Sequence, residues 1–194
     1  MDIAPLIDYM QKFVELEPQE VEIIQKHTSL RNYLKGQFVV QQGDVCRHES
    51  FVVEGCLRTF YVDEKGQEHT VMFAIENWWT ADLGSFLTQT PAHYNVQCLE
   101  NTKVIQFSHT NLENLYLQVP KMERFFRIIL QRAYVASERR LVRSYSLTAK
   151  GRYLKFRQDY PLIEQRVPQY MIASYLGITK EFLSKIRNQL ILEQ

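Results

Sequence analysis

Short segments rich in Val, Phe, Tyr and Thr recur between residues 37 and 107, and turn residues separate them. Gly43, Gly55 and Gly66 lie in these turns. Several short strands joined by glycine-bearing turns are typical of an antiparallel sandwich or small barrel. The pattern predicts strands at 37–40, 50–53, 56–62, 68–74, 95–99 and 103–107, after two opening helices at 4–13 and 18–26. The first part of the chain is therefore predicted to be a jelly-roll-like β-domain whose interior can hold a small ligand.

A long helix is predicted after this β-domain, from residue 122 to about residue 145. Neither Gly nor Pro interrupts the segment, and at 1.5 Å per residue the helix is on the order of 30 Å long. Apolar and small side chains recur along it at spacings of three and four residues. We expect one such set to pair with the same helix of a second copy, namely Phe126, Ile129, Leu130, Ala133 and Ser137. Packing within its own chain is the alternative role for this face.

The last part of the chain combines two short helices with a tight turn between them, after a helix predicted at 148–159. Pro168 suits the start of the first helix of the pair. Gly177 can end that helix, because glycine adopts the left-handed backbone conformation without a Cβ clash. Thr179 can then cap the second helix. This order is the pattern of the DNA-binding helix-turn-helix, whose second helix enters the major groove.

The second helix of this pair has two chemically different sides. At about 100° per residue, Phe182, Leu183, Ile186 and Leu190 share an apolar stripe that we expect to pack inward. On the polar side Lys can donate to guanine and Glu can accept from cytosine, while Thr and Arg suit phosphates. The predicted DNA contacts are Thr179, Lys180, Glu181, Ser184, Lys185, Arg187 and Asn188.

Charge is unevenly distributed, although the 194 residues carry a net charge of only +1. Residues 1–120 hold 8 Lys and Arg against 16 Asp and Glu, whereas residues 121–194 hold 15 against 6. A basic second part favours a polyanionic partner, because Lys and Arg release condensed counterions from phosphates. We therefore expect the chain to bind double-stranded DNA.

The composition argues against several other classes of protein. No run of about 18 apolar residues is present, and the first residues lack the pattern of a secretory signal. We therefore expect a cytoplasmic protein without a membrane partner. Cys46, Cys56 and Cys98 are scattered and form no CxxC pair, which argues against a disulfide framework, a zinc site or an iron–sulfur cluster. No metal or other cofactor is predicted.

With these motifs in this order, the chain resembles the Crp/Fnr family of bacterial transcription regulators over nearly its full length. The segment "QFVVQQGDVCRHESFVVEGCLRTFYVDEKGQEHTVMFAIENWWTADLGSF" is similar to that family's cyclic-nucleotide-binding fold, and "GITKEFLSKI" is similar to its recognition helix. The resemblance implies an α+β protein with a β-roll sensor domain at 1–120, a dimerisation helix at 121–146 and a helix-turn-helix domain at 147–194. It also implies a homodimer that binds near-palindromic DNA sites and is switched by a small effector.

The predicted effector pocket departs from the family pattern. Cyclic-nucleotide binders of the family carry a Gly-Glu pair and, about ten residues later, an Arg that holds the cyclic phosphate. This chain has Ala81-Asp82, and no Arg lies between Arg58 and Arg124. The lost charge-assisted contact is worth roughly a few kcal/mol, so cAMP is not the expected effector. The residues assigned to a pocket for a different, unidentified ligand are Asp82, Leu83, Gly84, His93 and Tyr94.

The end of the helix-turn-helix is a second departure. The family usually continues into a β-hairpin wing, whereas Ile-Leu-Glu-Gln follows Leu190 here, so we expect the wing to be absent. Its contacts to the DNA backbone would then come from other basic side chains. The candidates are Arg139, Arg140, Arg143, Lys150 and Arg152.

Two other classes of function are alternatives. A small β-barrel can be a cupin-like metal-dependent enzyme, but the five histidines are spread singly, and neither a phosphate loop nor a nucleophile elbow is present. The other alternative is a ligand-binding module that controls protein partners without touching DNA. For a regulator, RNA polymerase is a further candidate partner, while the effector, the operator and the direction of regulation are left open by the sequence.

Overall fold

A computed structural model of the chain describes residues 2–193 and confirms an α+β fold, with an antiparallel β-roll followed by helices. The strands are β1 (Ser29–Tyr33), β2 (Phe38–Val40), β3 (His48–Glu54), β4 (Leu57–Val62), β5 (Glu68–Ala74), β6 (Trp79–Thr80), β7 (Asn95–Cys98) and β8 (Thr102–Ser108). They form two four-stranded sheets, with the orders β1-β8-β3-β6 and β2-β7-β4-β5. Every pairing within them is antiparallel.

Helices precede, interrupt and follow the β-roll. They are α1 (Ala4–Met10), α2 (Pro18–Lys26), α3 (Leu83–Thr88), α4 (His109–Gln118), α5 (Lys121–Ser146), α6 (Ala149–Asp159), α7 (Pro161–Arg166), α8 (Gln169–Leu176) and α9 (Lys180–Leu192). Within residues 2–193 only helices follow β8, and the last of them, α9, continues to Leu192. None of the helices in this range is long and apolar enough to cross a membrane.

Each strand predicted from the sequence is present within about two residues of its predicted bounds, but four elements were not predicted. These are β1, β6, α3 and α7. The strand β6 has two residues and exists through its pairing with β3, where Ser50 lies opposite Thr80 and Phe51 opposite Trp79. Such a pairing depends on tertiary structure, and two residues show no periodicity.

One hydrophobic core lies inside the β-roll and extends to the helices that cover it. Aromatic rings dominate its centre, where Phe51 and Phe107 of the strands meet Phe125 and Phe126 of α5 through Trp79. The first turns of α5 are therefore anchored in the roll. Phe126, assigned from the sequence to a pairing face, is 4% exposed and packs in the core of its own chain, so that side chain is not available to a partner.

A second hydrophobic core joins the β-roll to the C-terminal helices. Phe73 of β5 packs against Phe156 of α6 and Tyr175 of α8, with ring centroids 6.5 and 5.6 Å apart. Ser174 extends the contact to the backbone: its Oγ accepts from the Thr70 amide at 2.9 Å and donates to the Glu68 carbonyl at 3.1 Å. The helix-turn-helix thus rests directly on β5.

Candidate DNA-binding surface and effector cavity

The turn between α8 and α9 has the geometry that the glycine predicts. Gly177 lies in the left-handed region with φ of +67°, and no atom lies within 4 Å of the position its Cβ would take. The Ile178 amide donates to the Ala173 carbonyl at 3.0 Å, which closes the last turn of α8 as in a Schellman motif. Thr179 caps α9, because its hydroxyl accepts from the Phe182 amide at 3.2 Å.

The helix α9 is held through a narrow apolar stripe. Leu183 is fully buried and Ile186 is 3% exposed, and both pack against Met171, Ile172 and Leu176 in the second core. The DNA contacts predicted from the sequence lie on the polar side of α9 and at its N-cap, and all are exposed except the half-buried Arg187: Thr179, Lys180, Glu181, Ser184, Lys185, Arg187 and Asn188. The structure therefore brings these residues onto one accessible face.

Phe182 corrects the predicted packing of this helix. The helical wheel placed its ring on the apolar stripe, but the side chain is 49% exposed. Leu183 and Ile186 already fill the contact with α8, and Phe182 lies at the edge of that contact beside Lys185. Its exposed ring adds an apolar group to the outer surface of α9, where a thymine methyl is the apolar feature of a major groove.

The basic residues predicted to replace a wing are mostly engaged within the chain. Arg143 Nη1 lies 2.6 Å from Asp159 Oδ2, and Lys150 Nζ lies 2.7 Å from Glu193 Oε2. Arg152 Nη1 donates to the Leu147 carbonyl at 3.0 Å. Arg139, by contrast, is exposed on α5.

Arg140, another of these candidates, is half-buried at the junction of α5, β5 and α8. Its guanidinium donates to the Val71 carbonyl and, at 3.3 Å, to the Tyr175 carbonyl. It also stacks over the Tyr175 ring at 4.0 Å from the centroid. This arginine therefore connects the long helix to the roll and to the helix-turn-helix, and it is not presented to DNA in this arrangement.

The predicted effector-pocket residues do not converge on an open site. Asp82 is 2% exposed; its Oδ1 accepts from the Ser85 amide at 3.0 Å, and its Oδ2 accepts from the His93 and Tyr94 amides at 2.7 and 3.0 Å. This carboxylate caps α3 and fixes the loop before β7, so it is not available to a ribose hydroxyl. Gly84 lies beside it in α3, with its Cβ position 3.6 Å from Asp82 Oδ1.

A cavity of about 620 Å³ lies instead between β5, β6, α5 and the C-terminal helices. Leu83 is the one member of the predicted pocket that lines it in the described part of the chain. Its walls come from the β-roll, from α5 and from the C-terminal helices. Examples from these three parts are, in order, Glu49 and Trp79, Ile129 and Ala133, and Phe156 and Tyr175. Its size is that of a site for a small organic molecule.

Glu49 is a buried ionisable residue of this cavity wall that sequence reasoning missed. The residue is 8% exposed, and burial raises the pKa of its carboxyl to about 7. A signal existed in the sequence: Glu49 stands two positions before Phe51 in β3, so strand alternation puts a carboxyl on the apolar face. The predicted strand began at Ser50 and left Glu49 outside the pattern.

Beyond its first turns, α5 carries an exposed apolar stripe. Leu130, Tyr134, Leu141 and Tyr145 follow one another at helical spacing and are 42, 66, 56 and 83% exposed. Four residues predicted for the pairing face line the cavity instead, namely Ile129, Leu130, Ala133 and Ser137. The exposed stripe therefore shares only Leu130 with the pairing face predicted from the sequence.

The geometry defines a class: a β-roll joined by a long helix to a helix-turn-helix. Residues 30–119 match the family described as "Cyclic nucleotide-binding domain". The transcriptional activator protein Anr of Pseudomonas aeruginosa is 26% identical over 198 residues, which cover 95% of this chain and 78% of that protein.

Two solved structures share the fold. One is the c-di-GMP responsive global regulator CLP of Xanthomonas campestris, with a TM-score of 0.75 at 14% identity, covering 91% of this chain and 93% of CLP. The other is FixK2 of Bradyrhizobium japonicum, with a TM-score of 0.74 at 15% identity, covering 86% of this chain and 85% of FixK2. The chain is therefore similar over most of its length to transcriptional regulators of the Crp/Fnr type, and its residues 30–119 match a cyclic nucleotide-binding domain.

The curated relatives also separate the two alternatives of regulator and enzyme. They are transcriptional activators and not enzymes, which confirms the preference for a regulator over a cupin-like enzyme. Within residues 2–193 no group of three or more His, Cys, Asp or Glu side chains is arranged to hold a metal ion.

Proposed function

We propose that this protein is a homodimeric, sequence-specific DNA-binding regulator that reads the major groove with α9 and responds to a small effector. The observation that carries the proposal is the division of α9, whose apolar stripe is buried against α8 while its polar face is open. Lys180 and Lys185 are suited to guanine edges, Glu181 to cytosine, and Arg187 and Thr179 to phosphates.

The exposed stripe of α5 supports the homodimer. An apolar row of Leu130, Tyr134, Leu141 and Tyr145 along a helix gains stability when a second copy covers it. Pairing along α5 would present two α9 helices to successive major grooves, about 34 Å apart along the duplex. Because the curated relatives are transcriptional activators, the proposal includes contact with RNA polymerase and action in the cytoplasm.

The 620 Å³ cavity supports the response to an effector, because residues of the roll, of α5 and of the helix-turn-helix line it together. A ligand that binds there better in one arrangement of these parts shifts the population toward that arrangement. Cyclic AMP is not the proposed effector, since Asp82 is occupied by three backbone amides and the sequence has no Arg between Arg58 and Arg124.

Fluorescence anisotropy with a labelled duplex from the protein's own promoter region tests DNA binding. We expect Lys180→Ala and Lys185→Ala each to weaken binding by about tenfold or more and to lower the slope of log K against log salt by about one. Lys65→Ala is the matched control, because it removes the same charge from an exposed turn of the β-roll.

Two results would contradict the proposal. One is a protein without salt-sensitive affinity for any duplex, which would favour the module that controls protein partners. The other is equal loss of affinity in Lys65→Ala and Lys180→Ala, which would show that net charge and not the α9 face determines binding.

A further inference from the structure

Glu49 is a buried carboxyl without a partner. It is 8% exposed, and neither oxygen has a hydrogen bond or an ion pair with any residue that the structure describes. Burial disfavours the ionised form of such a group unless a partner of opposite charge is supplied. An unpaired carboxyl on a cavity wall is a group whose charge a ligand of opposite charge can neutralise.

The groups around Glu49 offer it no positive charge. Two ionisable neighbours, Tyr116 and Cys46, are neutral groups whose pKa is raised chiefly by burial and further by the Glu49 carboxylate. The cations on the cavity wall are directed elsewhere. Arg132 lies over the Phe13 ring at 4.6 Å, and Arg140 donates to backbone carbonyls of β5 and α8.

The remaining wall is aromatic and apolar, and it contains two more polar groups without partners. Trp79 lines the cavity, and Tyr9 and Tyr175 add further rings. Trp79 Nε1 and Thr80 Oγ1 are buried and lack a hydrogen-bond partner among the described residues. Aromatic faces attract organic cations, and apolar walls favour a ligand with a hydrocarbon body.

We propose that this cavity binds a small organic amine with an apolar body, and that Glu49 is the counter-ion of its ammonium group. The three N–H groups of the ammonium can donate hydrogen bonds to the unpaired carboxylate oxygens. The body of the ligand contacts Trp79 and the side of α5 that lines the cavity. This inference names the ligand class for the effector and rests on the proposed function for its consequence in DNA binding. Binding itself is measurable without DNA.

Isothermal calorimetry on the full-length protein tests the ligand class with three probes of one shape. Tryptamine carries the ammonium, indole-3-ethanol replaces it by a hydroxyl, and indole-3-propionate replaces it by a carboxylate. We expect tryptamine to bind at least about tenfold more tightly than either of the others, equivalent to about 1.4 kcal/mol or more. In buffers of different ionisation enthalpy near pH 7, its binding should release protons, because the ammonium favours ionised Glu49.

Glu49→Gln keeps the shape of the side chain and removes its charge, so we expect the preference for tryptamine and the proton release to disappear. Glu54→Gln, an exposed position on the same strand, should retain both. Glu49→Leu is a second variant that separates binding from folding. If Glu49 were needed only for the fold, both variants would be less stable than the wild type. If Glu49 binds the ligand, both variants lose the preference for the amine and unfold at the same or a higher urea concentration than the wild type.

Equal affinity for the three probes, or retention of the preference in Glu49→Gln, would overturn the inference. The inference would also be overturned if tryptamine did not bind to a protein that native mass spectrometry shows to be dimeric. In that case the α5 helix of the second copy would be the occupant of the cavity. These outcomes are independent of DNA affinity. A protein that binds tryptamine but no duplex would retain the ligand site and lose the proposed function.

Discussion

Arg166 of α7 and Glu76 of the β-roll form a bidentate ion pair where the C-terminal helices meet the roll. Nη1 lies 2.7 Å from Glu76 Oε2, and Nη2 lies 3.0 Å from Glu76 Oε1. The same guanidinium reaches Glu100 Oε2 at 2.6 Å. A planar guanidinium matches carboxylate geometry in a way that an ammonium does not. One arginine of α7 therefore holds the C-terminal helices against two acids of the β-roll.

Acid should loosen this junction before it unfolds the rest of the protein. The hydrogen bonds from Arg166 lower the pKa of Glu76 from 4.5 to about 2. Because the pKa is lower in the folded state, the stabilisation is complete above pH 4.5 and is lost as the pH falls toward 2. After allowance for solvent screening of these partly exposed groups, we expect a loss of about 1–2 kcal/mol. Urea unfolding between pH 7 and pH 2.5 measures it.

Arg166→Ala provides the comparison for this acid sensitivity. We expect the variant to be less stable at pH 7 and to show a weaker pH dependence between 4.5 and 2, since its Glu76 no longer has the guanidinium. Arg157→Ala is the control, because Arg157 pairs with Glu164 inside the C-terminal domain. Identical pH profiles for wild type and Arg166→Ala would contradict this account.

Glu49 should give the opposite pH dependence in a separate window. Burial raises its pKa from 4.5 to about 7 in the folded state. Because the folded state holds this proton more tightly, stability decreases as the pH rises from about 4.5 to 7 and is constant beyond that. The stability of Glu49→Leu relative to wild type should therefore increase by roughly 2 kcal/mol between pH 5 and pH 8. Urea midpoints at the two pH values test this, and an unchanged difference would contradict it.

Gly177 should tolerate a larger side chain poorly for a reason of backbone conformation alone. Its φ of +67° is unfavourable for residues with a Cβ, although the space around it is open. We expect Gly177→Ala to lower the free energy of unfolding by about 1 kcal/mol, and to weaken DNA binding because it disturbs the angle between α8 and α9. Gly151→Ala, within α6, should be neutral or stabilising. Thermal unfolding of both variants measures the contrast, and equal losses would contradict it.

The sequence predicted most reliably those features that depend on local backbone chemistry. Gly177 and Thr179 specify the turn by conformation and capping, and the glycines between strands divide the β-roll. Phe182 shows the limit of such reasoning. A helical wheel assigns directions around an axis, but the width of the surface that α8 covers decides which ring is buried, and that width depends on tertiary packing.

The long helix and the cavity show why the rest could not be predicted. Periodicity along α5 indicates an apolar face without saying whether the chain's own roll or a second copy covers it, and Phe126 proved to belong to the roll. The cavity is formed by residues far apart in sequence, such as Glu49, Ala133 and Tyr175. No spacing rule connects them, so the position of the cavity followed only from the fold.

The exposed stripe of α5 gives a prediction that separates pairing from folding. Tyr134 and Leu141 are 66 and 56% exposed, and neither belongs to a buried core, so Tyr134→Glu and Leu141→Glu should leave the subunit folded. In a symmetric dimer each change places two unpaired charges against apolar surface, at a cost of about 3 kcal/mol or more. We expect sedimentation velocity to show the dimer dissociation constant raised by at least about a hundredfold, with weaker binding to palindromic DNA.

Arg139→Glu, which introduces a carboxylate on another side of α5, should remain dimeric. A monomeric wild type, or variants as dimeric as Arg139→Glu, would show that this stripe is not the pairing surface.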